Sequence, residues 1–283
     1  MLQQIIQAIR ALFQSIFDSA PSPRINAEPP LEKPQDASEL DPIPNDTLLV
    51  IERLEEVIDQ AAALKPVETL DSSPEVPVTK PSGRYAWCLD NGHGKLTAGK
   101  RSPLFDDGVT RFFEYAFNRD IVQRIARSLT QHGIEHLVVV PEEEIGDFLE
   151  GRVARANDWA SQLPKCFVSV HANAGPVPDD TRDWSMASGA ETWYYHTSVS
   201  GRKLAAVFQK HICEKTGFRN RGIKSQATKQ FFVLQKTLMP AILTENGFYN
   251  NKTEVLFLMS EEGRQKIADA HVAAILEIEQ NGL

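Results

Sequence analysis

Two histidines occupy similar places in the chain. His93 lies in Leu89-Asp90-Asn91-Gly92-His93-Gly94, directly after the apolar run Tyr85-Ala86-Trp87-Cys88-Leu89. His171 lies in Phe167-Val168-Ser169-Val170-His171-Ala172-Asn173. Each closes a strand-like run where the chain turns, so two such ends of one sheet can converge. Neutral imidazole is a good zinc ligand, and a catalytic zinc typically takes three protein ligands and leaves one position for water. A third ligand is offered by Glu114, in Arg111-Phe112-Phe113-Glu114-Tyr115-Ala116 at the start of a helical pattern. A carboxylate there also has a simpler reading, as a favourable charge near a helix N-terminus. Glu245 closes a further apolar run in Met239-Pro240-Ala241-Ile242-Leu243-Thr244-Glu245-Asn246-Gly247. A charge at the end of a buried strand is costly unless it is paired or functional. Facing a metal, it could take a proton from water and pass it to a leaving nitrogen.

The elements that must position these residues follow from apolar periodicity. Short runs at 85–89, 135–140, 166–170, 190–195 and 241–245 read as strands. Amphipathic patterns over about 112–132, 146–162, 200–216 and 260–280 read as helices. Strands alternating with helices predict an α/β domain around a mostly parallel sheet. Sites in such sheets form where strands end and loops begin.

The chain before this domain has a different character. Of the 283 residues, 1–82 hold 6 Lys/Arg against 14 Asp/Glu, and so carry all of the net charge of −8. Eleven of the 17 prolines fall there. Residues 18–46 and 65–82 read as acidic, Pro-rich linkers that lack enough apolar surface to order themselves. Residues 1–17 and about 46–64 read as short amphipathic helices. The organisation expected is therefore a partly flexible helical extension, 1–82, followed by a catalytic domain, 83–283. The balanced charge of the second part gives no basic patch, so no nucleic-acid partner is expected. Cys88, Cys166 and Cys213 form no disulfide or zinc-ribbon spacing, and the first two read as small buried hydrophobes.

Taken in order, "LDNGHG", Glu114 opening a helix, "FVSVHANA" and "PAILTENGF" resemble the zinc-dependent N-acetylmuramoyl-L-alanine amidases of the amidase-3 type. Arg152 in "GRVARAND", "ETWYY" at 191–195 and "NRGIK" at 220–224 extend the resemblance, which covers about residues 85–280. The resemblance implies helices on both faces of the sheet. It implies one zinc ion held by His93, Glu114 and His171, with Glu245 as the catalytic glutamate. The implied reaction is hydrolysis of the amide between N-acetylmuramic acid and L-alanine of the peptidoglycan stem peptide, by zinc-activated water. Asn91 stands where the family often has proline, a change to the turn. The segment 175–188 is too short for the helical insert that blocks zinc in some members, so the implied site is open. Asp179, Asp180, Arg182, Asp183 and Trp184 either line the groove or form a solvated loop. His132, His136, His196, His211 and His271 are expected to be structural or exposed.

Two other functions fit the same residues: a catalytically silent wall-binding or assembly component, and a zinc peptidase acting within the stem peptide. Met1–Phe17 lacks the basic start and unbroken apolar core of a secretory signal. The expectation is synthesis in the cytoplasm and action on the wall after lysis or injection, as a phage-type lysin or an injection-machine effector. Residues 1–20 would then dock on a protein partner or a membrane surface, or pack on their own protein.

Overall fold

The computed structural model describes residues 83–177, 184–228 and 231–283. The helices and linkers expected within 1–82 lie outside the described residues, as do Asp179, Asp180, Arg182 and Asp183.

A six-stranded sheet runs through the domain in the order β2-β1-β3-β6-β4-β5. Its strands are β1 (Ala86–Asn91), β2 (His136–Val138), β3 (Lys165–Asn173), β4 (Ala190–Tyr194), β5 (Asn220–Lys224) and β6 (Ala241–Phe248). The pairs β1·β2, β1·β3, β3·β6 and β4·β5 are parallel, and β4·β6 is antiparallel. The mostly parallel α/β fold is therefore as expected, with one reversal between its two parts.

Every residue of β1 and β6 is buried, because helices cover both faces of the sheet. A strand of this kind reads as a continuous apolar run rather than an alternation. Trp87 and Leu89 face one core, Cys88 the other. On the first face lie α1 (Glu114–Gln131), α3 (Val199–Thr216), α5 (Lys252–Met259) and α6 (Glu261–Asn281). There Ile121, Phe208 and Ile275 belong to one cluster with Val168 and Ile242. On the second face lie α2 (Leu149–Asp158) and α4 (Phe232–Lys236). Val153, Ala156 and Leu234 meet Cys88, Phe167 and Leu243 there.

Local signals set the helix ends. Ser198 and Ser260 accept from the backbone N–H of Gly201 and Gly263, opening α3 and α6. Gly217, at φ +73°, closes α3 in the left-handed conformation.

Three features differ from the sequence reading. β3 and β6 continue past His171 and Glu245, because their pairing resumes, after a register shift, at Asn173 and Phe248. α2 begins at Leu149 rather than 146, because Phe148 takes a left-handed φ of +51°. β5 and the short α4 and α5 carry too little periodicity to be read from sequence. His136 lies on β2, within the strand expected at 135–140.

Candidate active site

His93 leaves the end of β1 in a bend that three side chains hold. Arg152 donates to the carbonyls of Asn91 (2.8 Å) and His93 (2.7 Å). Asn118 donates to the carbonyl of Gly92 (2.9 Å), and Arg119 to that of His93 (3.0 Å). His93 itself sits at φ +62°, a conformation that costs a non-glycine residue about 1–2 kcal/mol. These bonds to its carbonyl and its neighbours' overdetermine the bend and offset that strain. The flanking glycines are required by space. A Cβ at position 92 would lie 2.0 Å from Cε1 of His171, and one at position 94 would lie 1.9 Å from the carbonyl oxygen of Ile145.

The sheet order places β1 beside β3, and α1 starts below their ends, so His93, His171 and Glu114 meet. One ligand atom of each lies within 4.8 Å of the others. Oε1 of Glu114 is 3.5 Å from Nε2 of His93 and 3.0 Å from Nδ1 of His171. The far nitrogen of each imidazole is already engaged. Nδ1 of His93 donates to Asp147 Oδ1 at 2.7 Å, and the Thr97 hydroxyl donates to the same oxygen at 3.1 Å. The Ser169 hydroxyl donates to Asp90 Oδ2 at 2.5 Å, so its oxygen accepts from Nε2 of His171 at 3.1 Å. Asp90 is in turn paired with Arg152, Oδ1 to Nη1, at 2.6 Å.

These outer partners fix the neutral tautomers. Two imidazole lone pairs and a carboxylate oxygen then point at one another, an arrangement that a cation between them would satisfy. The protonation states agree. Burial and the neighbouring His171 lower the His93 pKa, against the pull of Glu114 and Asp147. Burial acts to raise Glu114, but the groups that face it, His171, His93 and Lys100, hold the carboxyl below its ordinary range. Neutral imidazoles and an ionised carboxylate are the forms that bind a metal. The donor set therefore fits a metal ion.

Glu245 lies opposite His171 on β3 and opposite Glu191 on β4. Its carboxyl is buried, and Oε2 has no hydrogen-bond partner among the described residues. Burial first, then the charges of Glu114 and Glu191, push its pKa well above the usual carboxylate range. Glu191 by contrast is satisfied, by Arg221 Nε (2.7 Å), Trp193 Nε1 (3.0 Å) and Asn173 Nδ2 (3.2 Å). A cavity of about 590 Å³ opens over the group, with Lys100, Phe232, Val233 and Tyr249 among its walls.

A profile of the family Amidase_3, described as N-acetylmuramoyl-L-alanine amidase, matches residues 88–277. The chain belongs to this amidase family. Its activity is that of a peptidoglycan amidase, a hydrolase of the cell wall. The Bacillus subtilis (strain 168) protein YqiI is 31% identical over 189 residues, covering 66% of this chain and 81% of YqiI. The endolysin of Bacillus phage SPP1 is 32% identical over 202 residues, covering 69% of this chain and 66% of the endolysin. Among solved structures, the N-acetylmuramoyl-L-alanine amidase of Clostridium difficile 630 has a TM-score of 0.60 at 27% identity, covering 71% of this chain and all of that one.

The structure thus brings together the four residues expected from sequence: His93, Glu114, His171 and Glu245. Of the loop 179–184 only Trp184 is described, and it packs edge-on against Phe105 at 5.1 Å rather than lining this cavity. Sequence reasoning missed Asp147. Its one signal was an acidic loop, Glu142-Glu143-Glu144, just upstream, and nothing there distinguished one carboxylate from another. His93 and His171 aside, His271 is fully buried on α6, its Nδ1 donating to the carbonyl of Ile267 (2.8 Å) and its Nε2 accepting from Thr244 Oγ1 (3.0 Å). That is a structural role, as expected. Among the described residues, no helix is long and apolar enough to cross a membrane.

Proposed function

We propose that the chain is a zinc-dependent amidase that cuts between the lactyl group of N-acetylmuramic acid and L-alanine. His93, Glu114 and His171 would hold one zinc ion, and Glu245 would act as general base and then general acid. The observation that carries the reading is the unpartnered, buried Oε2 of Glu245 beside a convergent His/Glu/His set.

When bound, zinc would polarise the scissile carbonyl and acidify water, chemistry worth several kcal/mol of transition-state stabilisation. The protein's own residues do the rest. Asp147 and the Ser169–Asp90–Arg152 chain hold the two imidazoles in the tautomers that face Glu114. Oε2 of Glu245 takes a proton from the attacking water and delivers it to the departing alanine nitrogen. The raised pKa of its carboxyl suits that return step, because a strongly acidic carboxyl would hold the proton too weakly. Apolar Phe232, Val233 and Leu243 wall the cavity and limit competing water.

Residues 1–82 are proposed as a delivery extension, serving a phage-type lysin or an injection-machine effector. Residues 83–283 are proposed as the catalytic domain. Deleting 1–82 should abolish delivery and leave hydrolysis of isolated wall intact. Digestion of purified peptidoglycan by the wild type, by Glu245→Ala and by a chelated sample tests the chemistry. Mass spectrometry should find stem peptides beginning at L-alanine and intact glycan, only in the first sample. Cuts within the peptide would instead make the protein a peptidase.

A further inference from the structure

The cavity over the active site is walled by carboxylates, with Asp90, Glu114, Asp147 and Glu245 all lining it. Two cations line it as well, Arg152 and Lys100. The guanidinium of Arg152 is fully committed, donating to Asp90 Oδ1 and to the carbonyls of Asn91, His93 and Asp147. Lys100 differs. Its backbone is fixed: its carbonyl accepts from the N–H of Glu114 at 3.0 Å, and the adjacent Arg101 bridges to Phe113. Its ammonium has no hydrogen bond or ion pair with any described residue. Its charge reaches His93, Glu114, Asp147 and Glu245, more weakly than do the groups touching them. Lys100 therefore lines the cavity beside the reacting group, with its donors uncommitted among the described residues.

The substrate offers few anions at that distance. On both sides of the scissile amide the nearest groups, the lactyl methyl and the alanine methyl, are neutral. The first ionisable group on the peptide side belongs to the second stem residue, whose α-carboxyl projects from the chain as a free acid in some walls and as an amide in others. One extended residue spans roughly 3.5 Å, so that carboxylate lies about one residue beyond the reacting atoms, in the cavity that Lys100 also lines.

We propose that Lys100 binds the free α-carboxylate of the second stem residue and makes the enzyme selective for walls in which that group is not amidated. The proposal rests on the amidase reading above. A lysine suits the task, as a compact charge on a flexible stem that can follow the carboxylate while the amide is held.

The test uses two synthetic muropeptides that differ only in that group, acid against amide, with the wild type, Lys100→Met and Lys100→Arg. The wild type should favour the acid about tenfold in kcat/KM, the ratio expected of a charge-assisted hydrogen bond, with the difference in KM. Lys100→Met should bring the acid-to-amide ratio to about one, and Lys100→Arg should keep it above one. A wild type without preference, a ratio that Lys100→Met leaves unchanged, or a parallel fall in kcat on both substrates would overturn the proposal. Cleavage of neither substrate by the wild type would overturn the amidase reading itself, a separate outcome.

Discussion

Arg152→Met should destabilise the domain far more than most single substitutions. The guanidinium is buried, its ion pair with Asp90 is 2.6 Å long, and both side chains are at most 2% exposed. Methionine fills most of the volume but supplies no donor. Asp90 is left as a buried charge without its cation, and the carbonyls of Asn91, His93 and Asp147 lose a partner. Removing one member of a buried pair costs about 3–5 kcal/mol, against a total stability of about 5–15 kcal/mol. In a domain of this size each kcal/mol moves Tm by about 2–4 °C, so a fall of roughly 6–20 °C is expected. Thermal unfolding followed by circular dichroism reads it, with chelator in both samples so that metal binding does not contribute. The double variant Asp90→Leu/Arg152→Met should recover part of the loss, since it removes the orphaned charge as well. A fall of only a degree or two in the single variant, or strict additivity in the double, would refute the reasoning. Either result would mean that the clamp is not what holds the His93 bend.

Three further outcomes follow from the same geometry. Asp147→Ala removes the acceptor 2.7 Å from Nδ1 of His93, and zinc affinity measured by chelator competition should fall about tenfold, the lower end for an outer-shell partner because Asp147 is half exposed. An unchanged affinity would show that His93 needs no orienting carboxylate. Gly92→Ala puts a Cβ 2.0 Å from the His171 ring, so the protein should fold yet retain little metal after dialysis, as read by elemental analysis; full stoichiometry would contradict the close approach. His271 is pushed down to about 4 by burial, so the folded state keeps it neutral while the unfolded chain takes up a proton near pH 6.5. Its contribution is complete above that pH and is lost as pH falls through 4, about 2 kcal/mol between pH 7 and 5. Urea titrations across that range should show the loss in the wild type and a flatter response in His271→Gln.

Much of the active site was legible because its residues sit where period and chemistry conflict. A histidine or glutamate that follows a buried apolar run is out of place unless it is used, and this marks His93, His171 and Glu245. The same runs give the strands, since a strand covered on both faces has no alternation to mislead. Glu114 could be noticed but not separated from an ordinary helix-start carboxylate, because that distinction depends on what faces it.

The tertiary structure decided everything that depends on neighbours far apart in the chain. The reversal of β4 against β6 brings Glu191 opposite Glu245, and pairing direction leaves no local trace in a five-residue strand. Asp147 becomes the partner of His93 across 54 residues, although its loop reads as any acidic turn. Arg152 could be read as part of a motif, but only folding shows one guanidinium satisfying a carboxylate and three carbonyls around the bend. Apolar pattern is a property of neighbours in sequence, and so the sequence alone determined which residues end the strands. Hydrogen bonds and charge interactions act over a few ångströms in space, and so only the folded chain decided which nitrogen of each imidazole is free to face a metal.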